Sequence, residues 1–120
     1  MEDNDIEGRV PLPPRDFLIL LALVDGPLHG YAIVKGIEAD SEGSVRMDPA
    51  NLYRALRRME RDGWVEEVEA VAAEGEGEER RRSYGLTSNG RAVVIAETAR
   101  MRRLMETARV RRLTAADPQG

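Results

Sequence analysis

The chain has 120 residues, with 18 Lys and Arg against 22 Asp and Glu, one His and no Cys. This length suits one compact domain, and the lack of cysteine excludes disulfides, thiolate catalysis and cysteine metal sites. No apolar run approaches the ~20 residues of a membrane-spanning helix, and the acidic N-terminus differs from a secretory signal. We therefore expect a soluble, cytoplasmic protein, and we identify no cofactor site.

The net charge of −4 hides strong local patches. Acidic residues gather at Glu2–Glu7 and Glu66–Glu79, whereas basic residues gather at Arg54–Arg61, Arg80–Arg82 and Arg100–Arg112. Because binding to nucleic acid depends on such patches rather than on the net charge, the negative net charge does not exclude an anionic partner.

The first part of the chain predicts a short arm and two helices. Residues 1–12 carry no periodic apolar pattern and are expected to form a disordered acidic arm. A core helix follows Pro13 and Pro14 and ends at the breaker Asp25-Gly26-Pro27. A second helix begins near His29, which we expect to cap it.

A third helix is the most clearly marked element. Asp48 is a typical N-cap, Pro49 suits the first helical position and Gly63 suits a C-terminal stop. Before it, residues 45–47 are expected to form a short strand. The helix has an apolar face and an opposite basic face: Leu52, Ala55, Leu56 and Met59 against Arg54, Arg57, Arg58 and Arg61.

A hairpin and a long helix complete the chain. Strands are predicted over residues 64–71 and 80–87, joined by an acidic tip at 73–79. The final helix runs from about Asn89 to Leu113 and is capped by Thr87 or Ser88. Its apolar residues exceed what so small a domain can cover, so we expect this helix to pair with a second copy. Those residues are Val94, Met101 and Ala108, which repeat every seven positions, with Ile95, Leu104 and Met105 beside them.

This order of elements predicts a mainly α fold with a small β-hairpin, in the arrangement of a winged helix-turn-helix followed by a long C-terminal dimerisation helix. The expected divisions are a disordered arm at 1–12, a DNA-binding domain at 13–87, a dimerisation helix at 88–113 and a disordered tail at 114–120. Residues 48–62 would be the recognition helix and the hairpin would be the wing.

Three motifs at the expected separations resemble the PadR family of bacterial transcriptional regulators. They are G-P-x-H-G-Y-x-I, P-x-x-L-Y-x-A-L-x-R-x-E-x-x-G and R-R-x-Y-x-L-T-x-x-G, and together they cover about residues 14–91. The resemblance implies a homodimer that binds operator DNA, usually as a repressor, with the C-terminal helices forming the dimer contact. It also implies a possible response to small aromatic or lipophilic compounds.

The candidate DNA contacts lie on the second helix, the third helix and the wing. Arginine suits this role because its planar group can form paired hydrogen bonds with guanine and with phosphate. Arg54 and Arg57 are nearest the start of the recognition helix and are best placed for the groove. The alternatives are a solvated arginine face, tyrosines held in the core, and wing arginines that only neutralise the acidic tip. The full set is Tyr31, Lys35, Asn51, Tyr53, Arg54, Arg57, Arg58, Arg80 and Arg82.

A second candidate region is the seam between paired C-terminal helices. Methionine side chains adapt to different neighbours, so such a seam could open around a lipophilic ligand, although simple packing is the plainer interpretation. Its residues are Phe17, Val94, Ile95, Met101, Leu104, Met105 and Ala108.

The sequence does not favour an enzyme. Its one histidine, His29, has no persuasive nucleophile or orienting acid nearby, and one histidine is too few for a metal site. Two other hypotheses remain open: a winged-helix module that binds acidic proteins without an operator, and a ligand-carrying dimer without an operator.

Overall fold

A computed structural model describes residue 6, residues 8–69 and residues 82–113. The predicted wing tip at 73–79, Arg80 and the tail at 114–120 lie outside these residues. Within them, the chain forms four helices and a small antiparallel sheet. In chain order the elements are α1 (Pro14–Ala22), β1 (Leu28–His29), α2 (Gly30–Asp40), α3 (Pro49–Arg61), β2 (Val65–Glu69), β3 (Arg82–Leu86) and α4 (Ser88–Val110).

The helices begin where local chemistry predicts. The Nδ1 atom of His29 accepts a hydrogen bond from the backbone N–H of Ala32 at 3.3 Å, so His29 caps α2 as expected. The Asp48 carboxylate accepts from the N–H groups of Ala50 and Asn51, which satisfies two of the free donors at the start of α3. Gly63, with φ of 81°, ends this helical segment in the left-handed region.

The sheet contains a strand that the sequence did not predict. Its order is β1-β3-β2, so the two-residue β1 adds a third strand to the hairpin. Leu28 pairs with Tyr84 and His29 pairs with Ser83. This contact ties the start of α2 to the base of the wing.

The prediction of a strand at residues 45–47 is wrong. The hydroxyl of Ser41 accepts a hydrogen bond from the N–H of Val45 at 3.0 Å, which holds the chain in a turn after α2. The side chain of Met47 is buried in the core, so its apolar character reflects packing rather than a strand.

The predicted disordered arm does not extend to residue 12. Leu12 is buried, and Val10 and Ile6 pack against the core. Arg9 forms an ion pair with Asp62 at 2.9 Å and lies 4.7 Å from the ring centre of Trp64. The segment thus lies against the folded core, with Arg9 at the end of α3, and is held by contacts that the irregular local sequence does not reveal.

The long helix α4 has a buried half and a projecting half. Thr87 caps it by accepting from the N–H of Gly90 at 3.0 Å, and the first half packs on α1 and β3. The helix ends at Val110 rather than Leu113, because Arg112 turns left-handed and the N–H of Leu113 bonds back to the carbonyl of Ala108. None of the helices in the described ranges has the length and apolarity to cross a membrane.

Candidate nucleic-acid interface

One face of α3 is buried and the opposite face is basic. Leu52, Leu56 and Met59 are almost completely buried. Because successive residues are about 100° apart on a helix, the side opposite these residues carries Ala50, Arg54, Arg57 and Arg61, all of which are exposed. The pattern predicted from spacing is therefore present in three dimensions.

Asn51 and Arg54 contact each other on this surface. An Nη2 donor of Arg54 bonds to the Oδ1 atom of Asn51, one turn earlier in the helix. Both residues are exposed. The start of α3 therefore presents a guanidinium group that a neighbouring side chain already holds.

Arg58 lies on the flank of α3 and makes a contact within the protein. Its two terminal nitrogens donate to the two carboxylate oxygens of Asp16 in α1, each at 3.0 Å. This hydrogen bonding raises the pKa of the Arg58 guanidinium above its ordinary value. Arg58 thus joins α1 to α3, whereas the sequence had placed it among the candidate DNA contacts.

Tyr53 is packed beside the sheet rather than fully exposed. Its ring centre lies 6.4 Å from that of buried Tyr84. A Cβ atom built on Gly30 would lie 2.2 Å from the Tyr53 hydroxyl oxygen, so a larger residue at position 30 would require the Tyr53 ring to move. Burial, followed by the negative charge of Glu67, raises the pKa of Tyr84, and its hydroxyl stays neutral.

Tyr31 and Lys35 form an exposed pair on α2. Tyr31 is 65% exposed, and its ring is stacked near that of His29. The Nζ atom of Lys35 lies 5.6 Å from the Tyr31 ring centre. A cation and a phenol hydroxyl therefore stand together near the N-terminal end of this helix.

The described part of the wing offers one of the two predicted arginines. Arg82 is exposed and lies 3.5 Å from a carboxylate oxygen of Glu67 on the neighbouring strand. The alternative that pairs the wing arginines with the acidic tip at 73–79 stays a prediction, because that tip lies outside the described residues. Arg80 falls outside the described residues.

The apolar stripe of α4 continues past the core of the chain. Val94 is buried, and the same side of the helix carries Met101, Leu104, Met105 and Ala108 further along, where Leu104 and Met105 are exposed. Ile95 is 58% exposed and lies about 100° around the helix from Val94. Phe17 is half-buried and packs against the core. Ile95 therefore lies outside the stripe that contains Val94 and Met105, and its place in the predicted seam stays a prediction.

The sequence also matches a known family. Residues 19–96 match the model of the transcriptional regulator PadR-like family. The chain belongs to this family. A relative with 41% identity over 87 residues is an uncharacterized 37.1 kDa protein in transposon TN4556 of Streptomyces fradiae. That match takes in 72% of the PadR-like chain but only 23% of the relative.

Solved structures share the fold of this PadR-like chain. A transcriptional regulator from Clostridium thermocellum has a TM-score of 0.62 at 23% identity, over 91% of this chain and 95% of its own. Bacillus subtilis PadR in complex with operator DNA has a TM-score of 0.59 at 19% identity, over 72% of this chain and 47% of its own. The mainly α winged-helix fold predicted from the sequence is confirmed.

Glu97 of this PadR-like chain was not singled out from the sequence. It is 1% exposed, and its carboxylate accepts from Nε and Nη2 of Arg100 at 2.8 and 2.7 Å. These bonds lower the pKa of Glu97; burial opposes them, and a backbone hydrogen bond from Leu12 adds to them. Its position three residues after Val94, on the apolar side, was the available signal.

The part of the PadR-like chain that the structure describes contains no group of three or more His, Cys, Asp or Glu side chains placed to hold a metal ion.

Proposed function

We propose that this PadR-like chain is a transcriptional repressor that binds a two-fold-related operator as a homodimer. The observation that carries the proposal is the exposed arginine face of α3, opposite its buried face. In a helix-turn-helix protein the recognition helix enters the major groove with such a face.

The candidate contacts divide into three groups. Asn51, Arg54 and Arg57 stand on the first half of α3 and would face base edges and nearby phosphates. Tyr31 and Lys35 would hold the phosphate backbone from α2. Three other candidates would contribute less. Arg58 and Arg82 already face carboxylates of the protein, and Tyr53 packs beside buried Tyr84.

The apolar stripe of α4 supports a homodimer. Leu104 and Met105 are 55% and 62% exposed, on the same side of the helix as buried Val94 and Glu97. A second α4 would cover this stripe, and two-fold pairing would then present two copies of α3. Their major-groove sites would be about one turn of DNA, roughly 34 Å, apart.

A small lipophilic or aromatic effector would act at the same seam. Met101 and Met105 can repack around a ligand, and a change in the angle between paired α4 helices would alter the spacing of the two α3 helices. Such an effector must bind the two arrangements with different affinities to release the operator.

The test measures binding of the chain to a labelled duplex from the DNA upstream of its own coding sequence, by fluorescence anisotropy at two salt concentrations. We expect an affinity that falls steeply with salt, since bound arginines displace counterions from phosphates. The double variant Arg54→Ala/Arg57→Ala should lose most of this binding.

A matched control removes the same charge elsewhere. Arg102→Ala/Arg103→Ala changes two exposed arginines of α4 that lie away from the apolar stripe, and it should bind as the unmodified chain does. An equal loss of DNA affinity in both double variants would show that binding depends only on total charge. An affinity that does not change with salt concentration would contradict the proposal.

A further inference from the structure

Asn51 and Arg54 occupy the part of α3 that would lie closest to base edges. They are exposed one turn apart near the N-terminal end of the helix, and the N-terminal residues of a recognition helix are the ones that contact bases. Ala50, beside them on the same face, has only a methyl side chain. The backbone there can approach a groove closely.

The hydrogen bond between the two side chains determines what each can offer. A guanidinium group carries only donors, so the Asn51 amide must turn its oxygen toward Arg54 and its NH2 group away. Recognition of adenine by asparagine needs that oxygen as an acceptor and the NH2 group as a donor together. Arg54 already occupies one of the two lone pairs of that oxygen and fixes the orientation of the amide, so Asn51 is less suited to adenine than a free asparagine would be.

Arg54 keeps the chemistry that guanine needs. One of its donors is used by Asn51, and the others remain for a ligand. Guanine presents two acceptors, N7 and O6, in the major groove, and these suit a planar pair of N–H donors. A side chain that is already held also loses less freedom on binding than a free one.

Neighbouring arginines are less suited to this task. The two terminal nitrogens of Arg58 are bonded to Asp16, which occupies the same paired donors. Arg61 lies in the last turn of α3, far from the end that enters the groove. Arg57 is one turn closer to the groove than Arg61, and the variant Arg57→Ala distinguishes it from Arg54.

We propose that Arg54 reads one guanine in each operator half-site, and that Asn51 is the residue that positions it. This assignment rests on the proposed binding of operator DNA. It names a base and a specificity-determining side chain within that site.

Methylation interference gives the direct test. Dimethyl sulfate methylates guanine N7 in the major groove, so duplexes that remain bound reveal which N7 atoms the protein needs free. With the unmodified chain, we expect interference at guanines in two symmetric half-sites. With Arg54→Ala, one guanine in each half-site should no longer interfere, and the control Arg102→Ala should leave the pattern unchanged.

The positioning role of Asn51 needs a readout separate from overall affinity. Replacing the identified guanine by 7-deazaguanine removes only N7, and should weaken the unmodified chain by roughly 10-fold. Arg54→Ala should bind both duplexes equally. Asn51→Ala should reduce the ratio of the affinities for the guanine and 7-deazaguanine duplexes. Asn51→Asp keeps an acceptor for Arg54, so it should preserve this ratio even if its added charge weakens both complexes.

Several results would overturn the assignment while leaving operator binding intact. The interference pattern could survive in Arg54→Ala, or Arg57→Ala could be the variant that removes the guanine signal. Asn51→Ala could instead abolish a preference for adenine, which would make Asn51 a reader. A complete lack of salt-sensitive binding would contradict the proposed function itself.

Discussion

Two buried carboxylates connect parts of the chain that are distant in sequence. The Asp16 carboxylate accepts hydrogen bonds from both terminal nitrogens of Arg58, and these bonds join α1 to the flank of α3. The Glu97 carboxylate accepts hydrogen bonds from Arg100 and from the backbone N–H of Leu12, and the second bond joins α4 to the N-terminal segment. At both places an arginine supplies hydrogen bonds that replace the water lost on burial.

The first prediction concerns the charge on Glu97. Its pKa is lowered in the folded chain, so its contribution to stability is complete above the ordinary glutamate pKa of about 4.3 and is lost as pH falls through the folded value. Glu97→Gln should lower the free energy of unfolding at pH 7 by about 1 to 2 kcal/mol, because Arg100 loses a charged acceptor. Urea denaturation at fixed protein concentration measures this.

Glu106→Gln is the matched control for that measurement. Glu106 makes the same type of pair with Arg109, at 2.8 Å and three residues apart, but on an exposed part of α4. Its replacement should change stability little. The difference in the free energy of unfolding between Glu97→Gln and the unmodified chain should also become smaller below about pH 4. A difference that is the same at pH 7 and in acid would contradict the role given to the Glu97 charge.

At the scale of elements, two helical glycines should respond oppositely to alanine. Gly36 lies inside α2, and an added Cβ would lie an ordinary 3.6 Å from Ala22. Gly36→Ala should therefore raise the free energy of unfolding by up to about 1 kcal/mol, since alanine favours the helix.

Gly90 lies in the first turn of α4, against the start of β2. An added Cβ would lie 2.0 Å from the backbone carbonyl oxygen of Trp64, and the same carbonyl accepts the N–H of Thr87. Gly90→Ala should destabilise the fold by roughly 1–3 kcal/mol, because the helix must move off the strand. Thermal unfolding of Gly36→Ala and Gly90→Ala measures both changes. A Gly90→Ala variant that is more stable than the unmodified chain would contradict close packing of α4 against the Trp64 carbonyl.

The projecting half of α4 makes the next prediction. Leu104→Glu/Met105→Glu places two charges on the apolar stripe and should convert the proposed dimer to monomers, because a buried seam cannot hold unpaired carboxylates. Sedimentation velocity over a range of concentrations measures the change.

The same helix supplies a control for the association test. Ile95→Glu/Val110→Glu also adds two charges at exposed apolar positions, but these lie on the other side of α4. This variant should associate as the unmodified chain does. If both double variants dissociate, or neither does, the apolar stripe is not the dimer contact.

Across the whole molecule, local signals predict the helices well. Asp48, Pro49 and Gly63 mark α3 through short-range chemistry, and the structure places it at Pro49–Arg61. The paired strands β2 and β3 are also present, and so is the last helix, which ends at Val110 rather than at Leu113. Each of these elements is specified by residues close together in sequence, which is why the sequence alone suffices.

Other features depend on contacts between distant residues and could not be predicted in this way. β1 has two residues and exists because Leu28 and His29 meet β3 more than fifty residues later. Arg58 belongs to a basic face by spacing, yet Asp16, 42 positions away, occupies its donors. Leu12 is buried by a core assembled from later helices. Periodicity identifies a face, whereas only the packed chain shows what that face contacts.

The central claim is that two copies of the chain bind one two-fold-related operator. The most direct measurement is a nuclease footprint on the DNA upstream of its own coding sequence, with random competitor DNA present. The account predicts protection of two symmetric half-sites about one helical turn apart, lost in Arg54→Ala/Arg57→Ala. A single unpaired protected site, or protection that random DNA removes completely, would contradict it.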